Sequence, residues 1–289
     1  MAVLVGTTAG AFRLNGKADP LIEGTRINNL AVDADGWWAV DGKGRIHRNG
    51  EVVATMPAGA APLCIQPTLD TIWIGADEAR LFAFETSSGI TEDEFFANAP
   101  RRNSWYTPWG GPADVRSMTL DADHTLYINV HVGGLLRYDN TGVWPTIDIE
   151  ADVHQVAAHP TQKGAVFAAT ANGLAHSHNG HDFEFRTEGL HATYCRAVAV
   201  LEDRVLVSAS TGPRTNRGRL YKGDLWSGSF EPVANGLPEW FGENLNTYCL
   251  LAKGDNVYVG VGDTLWGSDD GGDTWEELAT GLTKITCLA

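Results

Sequence analysis

Four cysteines in 289 residues, at positions 64, 195, 249 and 287, are too few and too widely separated for a disulfide framework. They predict reduced thiols and a cytoplasmic protein. Basic residues are also scarce: 21 Lys and Arg against 36 Asp and Glu leave a net charge of −15, with no basic stripe. Nucleic acid is excluded as a partner on that ground. No stretch approaches the roughly 20 apolar residues of a membrane span, and the opening MAVLVGTTAGAFRLNG alternates like a strand without the basic flank of a secretory signal. No membrane association is expected. A phosphate loop of the form G-x-x-x-x-G-K-[ST] and a G-x-S-x-G nucleophile elbow are both missing, and the glycines of VGGLLRYD precede no helix.

What the chain does have is 43% hydrophobic residues, 10 Trp and 33 Gly, enough for a large core folded without staples. It also has a repeat. DVRSMTLDADHTLYINVHVGGLLRYD (114–139) and DVHQVAAHPTQKGAVFAATANGLAHSHNG (152–180) share a pattern of strand, turn, strand, glycine turn, strand. The frame recurs at 27–50, 63–85, 194–211 and 248–272, and a more polar fourth strand follows at 51–56, 144–149, 183–189, 230–236 and 274–281. The N-terminus supplies AVLVGTT, AFRLNG and PLIEG, matching second, third and fourth strands, while KITCLA at the C-terminus matches a first strand. Seven units of about 41 residues fall in the range of propeller blades. The prediction is an all-β, seven-bladed β-propeller of four-stranded antiparallel blades, one domain over 1–289, closed by the C-terminal strand joining the N-terminal three. A two-sheet sandwich leaves the complementary ends unexplained.

The stretch SDDGGDTWEEL (268–278) places Ser268, Asp270, Gly272, Thr274 and Trp275 in the pattern S-x-D-x-G-x-T-W. It resembles the Asp-box, or BNR repeat, of sialidases, sortilin-type receptors and photosystem II assembly-factor-type propellers. SHNGHDFEF (177–185) and YDNTGVW (138–144) are degenerate copies. The resemblance implies a turn between third and fourth strands, away from the ligand face and without chemistry. Sialidase activity would require three arginines on a carboxylate, a tyrosine with its glutamate, and an acidic proton donor, a set not assembled here.

The ligand face of a propeller carries the starts of first strands and the ends of second strands. Alignment of the first strands by apolar alternation puts Asn28, Leu63, Arg116, His154, Cys195, Cys249 and Thr286 in one column near the axis. His131 ends a second strand in NVHVGG, and His191 precedes a first strand. Imidazole and thiolate are favoured by zinc, copper and iron, so His131, His154, His191, Cys195 and Cys249 are candidate metal ligands. The two cysteines also suit simple packing, and Cys64 and Cys287 are read as core. His131, His154, His191 and Arg116 are candidate catalytic residues, the histidines as ligands or bases and Arg116 as holder of an anionic group. His47, His124, His159, His176, His178 and His181 are assigned to outer strands, turns and the rim.

Three loops, at 99–112, 210–219 and 236–246, fall on the same face. They bring Arg101, Trp105, Tyr106, Trp109, Arg214 and Trp240 to one side as candidate ligand-binding residues for a small molecule or a peptide. Two readings follow: a monomeric metal-dependent hydrolase or lyase acting on a small anionic or aromatic molecule, or a non-catalytic propeller that binds a protein or peptide.

Overall fold

The computed structural model describes residues 2–108, 110–139 and 141–289. Seven four-stranded antiparallel sheets make up the chain. Blade 1 is closed across the termini, Ile285–Leu288 pairing with Val3–Thr7 ahead of Gly10–Leu14 and Ala18–Glu23. The inner strands of blades 2 to 7 are Ile27–Asp33, Pro62–Pro67, Asp114–Leu120, Val153–Ala158, Val198–Val200 and Leu250–Lys253. Closure leaves the N-terminal strand no free inner edge. Two outer strands are shorter than the polar runs suggest, Glu184–Arg186 in blade 5 and Glu231–Pro232 in blade 6, and that of blade 4, Gly142–Ile147, keeps its length but lies two residues earlier than expected. Blade 3 has a fourth strand, Gly89–Glu92, followed by a single helical turn, Glu94–Ala97, capped by Asp93 Oδ1 accepting from Phe96 N at 2.7 Å.

The core lies between blades. Buried apolar residues form seven clusters, each shared by two neighbouring blades, such as Phe167 and Leu174 of blade 5 with Val198 and Tyr221 of blade 6. Second strands such as Leu126–His131 and Val166–Thr170 are buried along their whole length because both of their faces are covered.

The turn of blade 7 joins its third strand, Thr264–Ser268, to its fourth, Glu276–Ala279. Ser268 Oγ donates to Asp270 Oδ1 at 2.7 Å, which also accepts from the backbone N–H groups of Asp273 and Thr274. The bond that Thr274 Oγ1 donates to Asp270 Oδ2 at 2.6 Å, together with these, holds the Asp270 carboxyl well below the usual carboxylate range. In blade 5 Ser177 and Asn179 repeat the arrangement, Asn179 Oδ1 accepting from His181 N and Asp182 N at 2.9 Å. Both turns brace the preceding blade: a Cβ on Gly272 would meet Leu206 at 2.8 Å, and one on Gly180 would meet the Tyr127 hydroxyl.

A recurring β-bulge shapes the axial mouth. In blades 2, 3, 4 and 5 the inner-strand register shifts around Asn28, Leu63, Arg116 and His154, and blade 1 shifts next to Thr286. A bulge leaves one residue unpaired and turns its side chain out of the ladder. Three of these residues donate to the carbonyl just before the equivalent residue of the next blade: Thr286 to Ile27 O, Asn28 to Pro62 O, and His154 Nδ1 to Cys195 O. The register corrects the sequence alignment, because Cys195 corresponds to Ile27 and Pro62, which makes Arg196 the mouth residue of blade 6.

Blade 7 is also displaced by one. Gly260 N donates to Cys249 O as Ser208 N does to Ala197 O, so Tyr248 takes the mouth position and Cys249 the core position. Tyr248 has φ +62° and plugs the axis: its N–H donates to Gln155 Oε1 at 2.9 Å and its hydroxyl accepts from Met118 N at 2.9 Å.

Candidate functional site

On the mouth side of Tyr248, blades 4 and 5 bring two histidines onto one carboxylate. His131 ends the second strand of blade 4 and is followed by a tight turn in which Val132 adopts φ +54°, a strained conformation for a β-branched residue. Gly133 in that turn cannot carry a side chain: a Cβ would lie 2.3 Å from Val130 and 3.1 Å from Trp105. Trp105, itself packed on Phe96 at 5.8 Å between centroids, therefore backs the turn that aims His131. Asp152 follows the short 3-10 turn Ile149–Ala151 in the left-handed region, φ +47°, and His154 is the second residue of the inner strand of blade 5.

His131 Nε2 lies 3.2 Å from Asp152 Oδ1, and His154 Nε2 lies 3.4 Å from Asp152 Oδ2. His154 is fully buried. Its Nδ1, 2.6 Å from Cys195 O, must carry a proton, because a carbonyl only accepts. Nε2 is buried and faces Asp152 Oδ2 in an ion-pair contact rather than a well-formed hydrogen bond. A proton or a cation between the two would join them.

Burial by itself would raise the Asp152 pKa, yet contacts with His131 and His154 hold it well below the usual carboxylate range. Burial pushes His131 down, assisted by the Arg116 charge and opposed by Asp152. Arg116, pushed down to about 10, is affected first by burial and then by the charge of Arg196, with Asp114, Asp152 and Tyr194 acting the other way. Tyr194 stacks obliquely on His154 at 4.7 Å between centroids. The mouth thus combines His131, Asp152, His154, Tyr194, Arg116 and Arg196.

The donor atoms of His131, Asp152 and His154 all lie within 4.8 Å of one another. Bonds of about 2.0–2.2 Å from one ion to N and O ligands put neighbouring donors roughly 3 Å apart, close to the observed contacts. Two histidines and a carboxylate suit zinc or ferrous iron, and the carbonyl on His154 Nδ1 is the support a ligating imidazole usually has.

The other sequence candidates lie elsewhere. His191 is engaged through both ring nitrogens, Nδ1 with the Tyr221 hydroxyl at 2.8 Å and Nε2 with Arg217 O at 3.2 Å. It belongs to a separate stack in which Trp240 lies under Arg217 and Arg219, 4.4 and 5.0 Å from its ring. Cys195 and Cys249 are buried in inter-blade clusters, and burial pushes both thiols far above their usual pKa. Cys195 meets the site through its backbone carbonyl. Arg101 pairs with Asp148 at 3.2 Å on the rim, Tyr106 and Arg214 are exposed, and Trp109 lies outside the described residues. His47, His159 and His176 are buried, contrary to their expected surface placement.

Sequence reasoning passed over Asp152, Tyr194 and Arg196. The motifs DVH at 152–154 and YCR at 194–196 carried the signal, but only the bulge shows which residue of each faces the axis.

Fold and mouth together define a seven-bladed β-propeller with a polar, partly buried axial site. No family model matches the chain, and no curated protein matches it in sequence. Among solved structures it is similar to a catalytically inactive histidine variant of virginiamycin B lyase from Staphylococcus aureus, solved with quinupristin. That pair shares 13% identity over 94% of this chain and 93% of the other, at a TM-score of 0.61. A streptogramin B lyase matches at 10% identity over 96% and 87%, TM-score 0.60, and the WD40 repeats of RRP9 at 14% over 90% and 82%, TM-score 0.59. At these identities the likeness is one of fold. No helix among the described residues is long and apolar enough to cross a membrane.

Proposed function

We propose that the axial mouth is the active site of a metal-dependent hydrolase or lyase acting on a small molecule, with His131, Asp152 and His154 as the metal ligands. The observation that carries this reading is the convergence of His131, Asp152 and His154 at the mouth, their donor atoms within 4.8 Å of one another and His154 locked in place by the bond from Nδ1 to Cys195 O. A transition metal there would supply Lewis acidity toward a carbonyl or a bound water. The chain's own contribution is to hold the ligands: Trp105 backs the His131 turn, the bulge presents His154, and Tyr248 shuts the channel beneath the bound molecule. Two of the propellers similar to this chain are lyases, one of them inactive as a histidine variant, which supports catalysis on such a scaffold by analogy.

A purely protein-binding propeller has no need of two histidines converging on one carboxylate at the axial mouth. Sialidase chemistry is poorly supported, because the mouth column of Asn28, Leu63, Arg116, His154, Arg196, Tyr248 and Thr286 supplies two arginines. We read the blade 7 turn as an Asp-box on its hydrogen bonds, and the four unpaired cysteines as suited to a reducing compartment.

The test is cobalt titration of the full chain, purified without a His-tag and stripped with chelator, read by visible absorption and by elemental analysis. One equivalent is expected for the native chain and for Cys195→Ser, and none for a His131→Ala/His154→Ala variant. No uptake by the native chain, or equal uptake by the double variant, overturns the assignment.

A further inference from the structure

The two arginines flanking His154 are not needed to hold a metal. Arg116 and Arg196 occupy the mouth positions of blades 4 and 6, on either side of His154 in blade 5. Both are half-buried, and the Nε of Arg196 is buried without a hydrogen-bond partner. Like charges brought together away from water are costly unless something anionic joins them.

We propose that the mouth recognises its substrate by an oxyanion head, a carboxylate or a phosphate, gripped between Arg116 and Arg196. The inference rests on the mouth being a small-molecule site and deepens that reading by assigning the substrate class.

Charge bookkeeping at the site points the same way. Asp114 and Asp152 act against the charge of Arg116, and a divalent cation on His131, Asp152 and His154 would add a local excess of positive charge. An oxyanion head reduces that excess, and guanidinium forks match the paired oxygens of carboxylate and phosphate. His154 sits in the neighbouring blade, so a molecule held by its head would present the adjoining atoms to the histidine pair.

The experiment is calorimetric titration of the metal-stripped full chain with inorganic phosphate and, separately, with malonate, at constant ionic strength set by chloride. One saturable site for either anion is expected, and the preferred anion names the head. Arg116→Gln and Arg196→Gln should each weaken binding by about tenfold or more. Arg196→Lys, which keeps the charge and loses the fork, should fall between, while Arg101→Gln on the rim should bind like the native chain. Thermal unfolding of each variant checks that it folds. If neither anion binds, or if both glutamine variants bind as the native chain does, the proposal fails. Cobalt uptake is read separately: uptake without anion binding sinks only the oxyanion assignment, and anion binding without uptake sinks only the metal centre.

Discussion

At the scale of single residues, the site depends on how one ring is held. His154 Nδ1 is tied to a backbone carbonyl by the same bond that Thr286 and Asn28 make from their own blades, so a repeating feature of the propeller fixes the proton on Nδ1 and the orientation of the imidazole. His131 is governed by burial, which lowers its pKa below that of an exposed imidazole. The unfolded chain therefore takes up a proton near pH 6.5 while the folded chain resists it. Stability from this residue is fully present above that pH and is lost as pH falls through the lower folded value. Chemical denaturation at pH 7 and pH 5 should show a smaller drop for His131→Gln than for the native chain. His176 and His191, also lowered by burial, supply part of the remaining slope. Asp152 adds nothing in this window, because its lowered pKa matters only as pH falls into and below the usual carboxylate range. Equal drops in the two proteins would show that His131 is not the depressed group.

At the scale of elements, two local devices recur, the inner-strand bulge in blades 1 to 5 and the Ser-Asp or Ser-Asn turn in blades 7 and 5. The bulge turns one inner-strand residue toward the axis, and the Ser-Asp turn binds the outer part of a blade to its neighbour. Asp270→Ala should cost about 1 kcal/mol through lost turn hydrogen bonds, measured by urea denaturation, while Asp270→Asn should cost less because Asn179 fills that role in blade 5. Matching losses for the two variants would mean that the charge, rather than the acceptor geometry, holds the turn. These devices also explain what was readable in the sequence. Strand periodicity and glycine turns repeat in every unit, so the blades and their order were legible. The mouth was legible at Arg116, His154 and His131, where the apolar alternation is regular. In blades 6 and 7 the same alternation suggested Cys195 and Cys249 for the axis, because a one-residue slip reverses every side chain in a strand and nothing local marks the bulge.

At the scale of the whole molecule, the ring is closed by four residues from one terminus pairing with five from the other. Removal of 284–289 should expose the inner edge of Val3–Thr7 and open two inter-blade clusters, producing aggregation in size-exclusion chromatography and an earlier thermal transition. A truncated chain that stays monomeric with unchanged melting would argue against closure as the source of stability. The axis is shut by Tyr248, which separates the polar mouth from a second, mostly apolar cavity of about 380 Å³ lined by the inner strands. By itself the sequence determined the all-β ring, the number of blades and the complementary ends, because each unit carries its own alternation and turn residues. Only the tertiary structure decided that His131, Asp152 and His154 share one point in space, that Arg196 replaces Cys195 at the mouth, and that Tyr248 closes the channel. Those facts depend on bulges and on contacts between blades, which join residues too far apart in the chain for any local pattern to record.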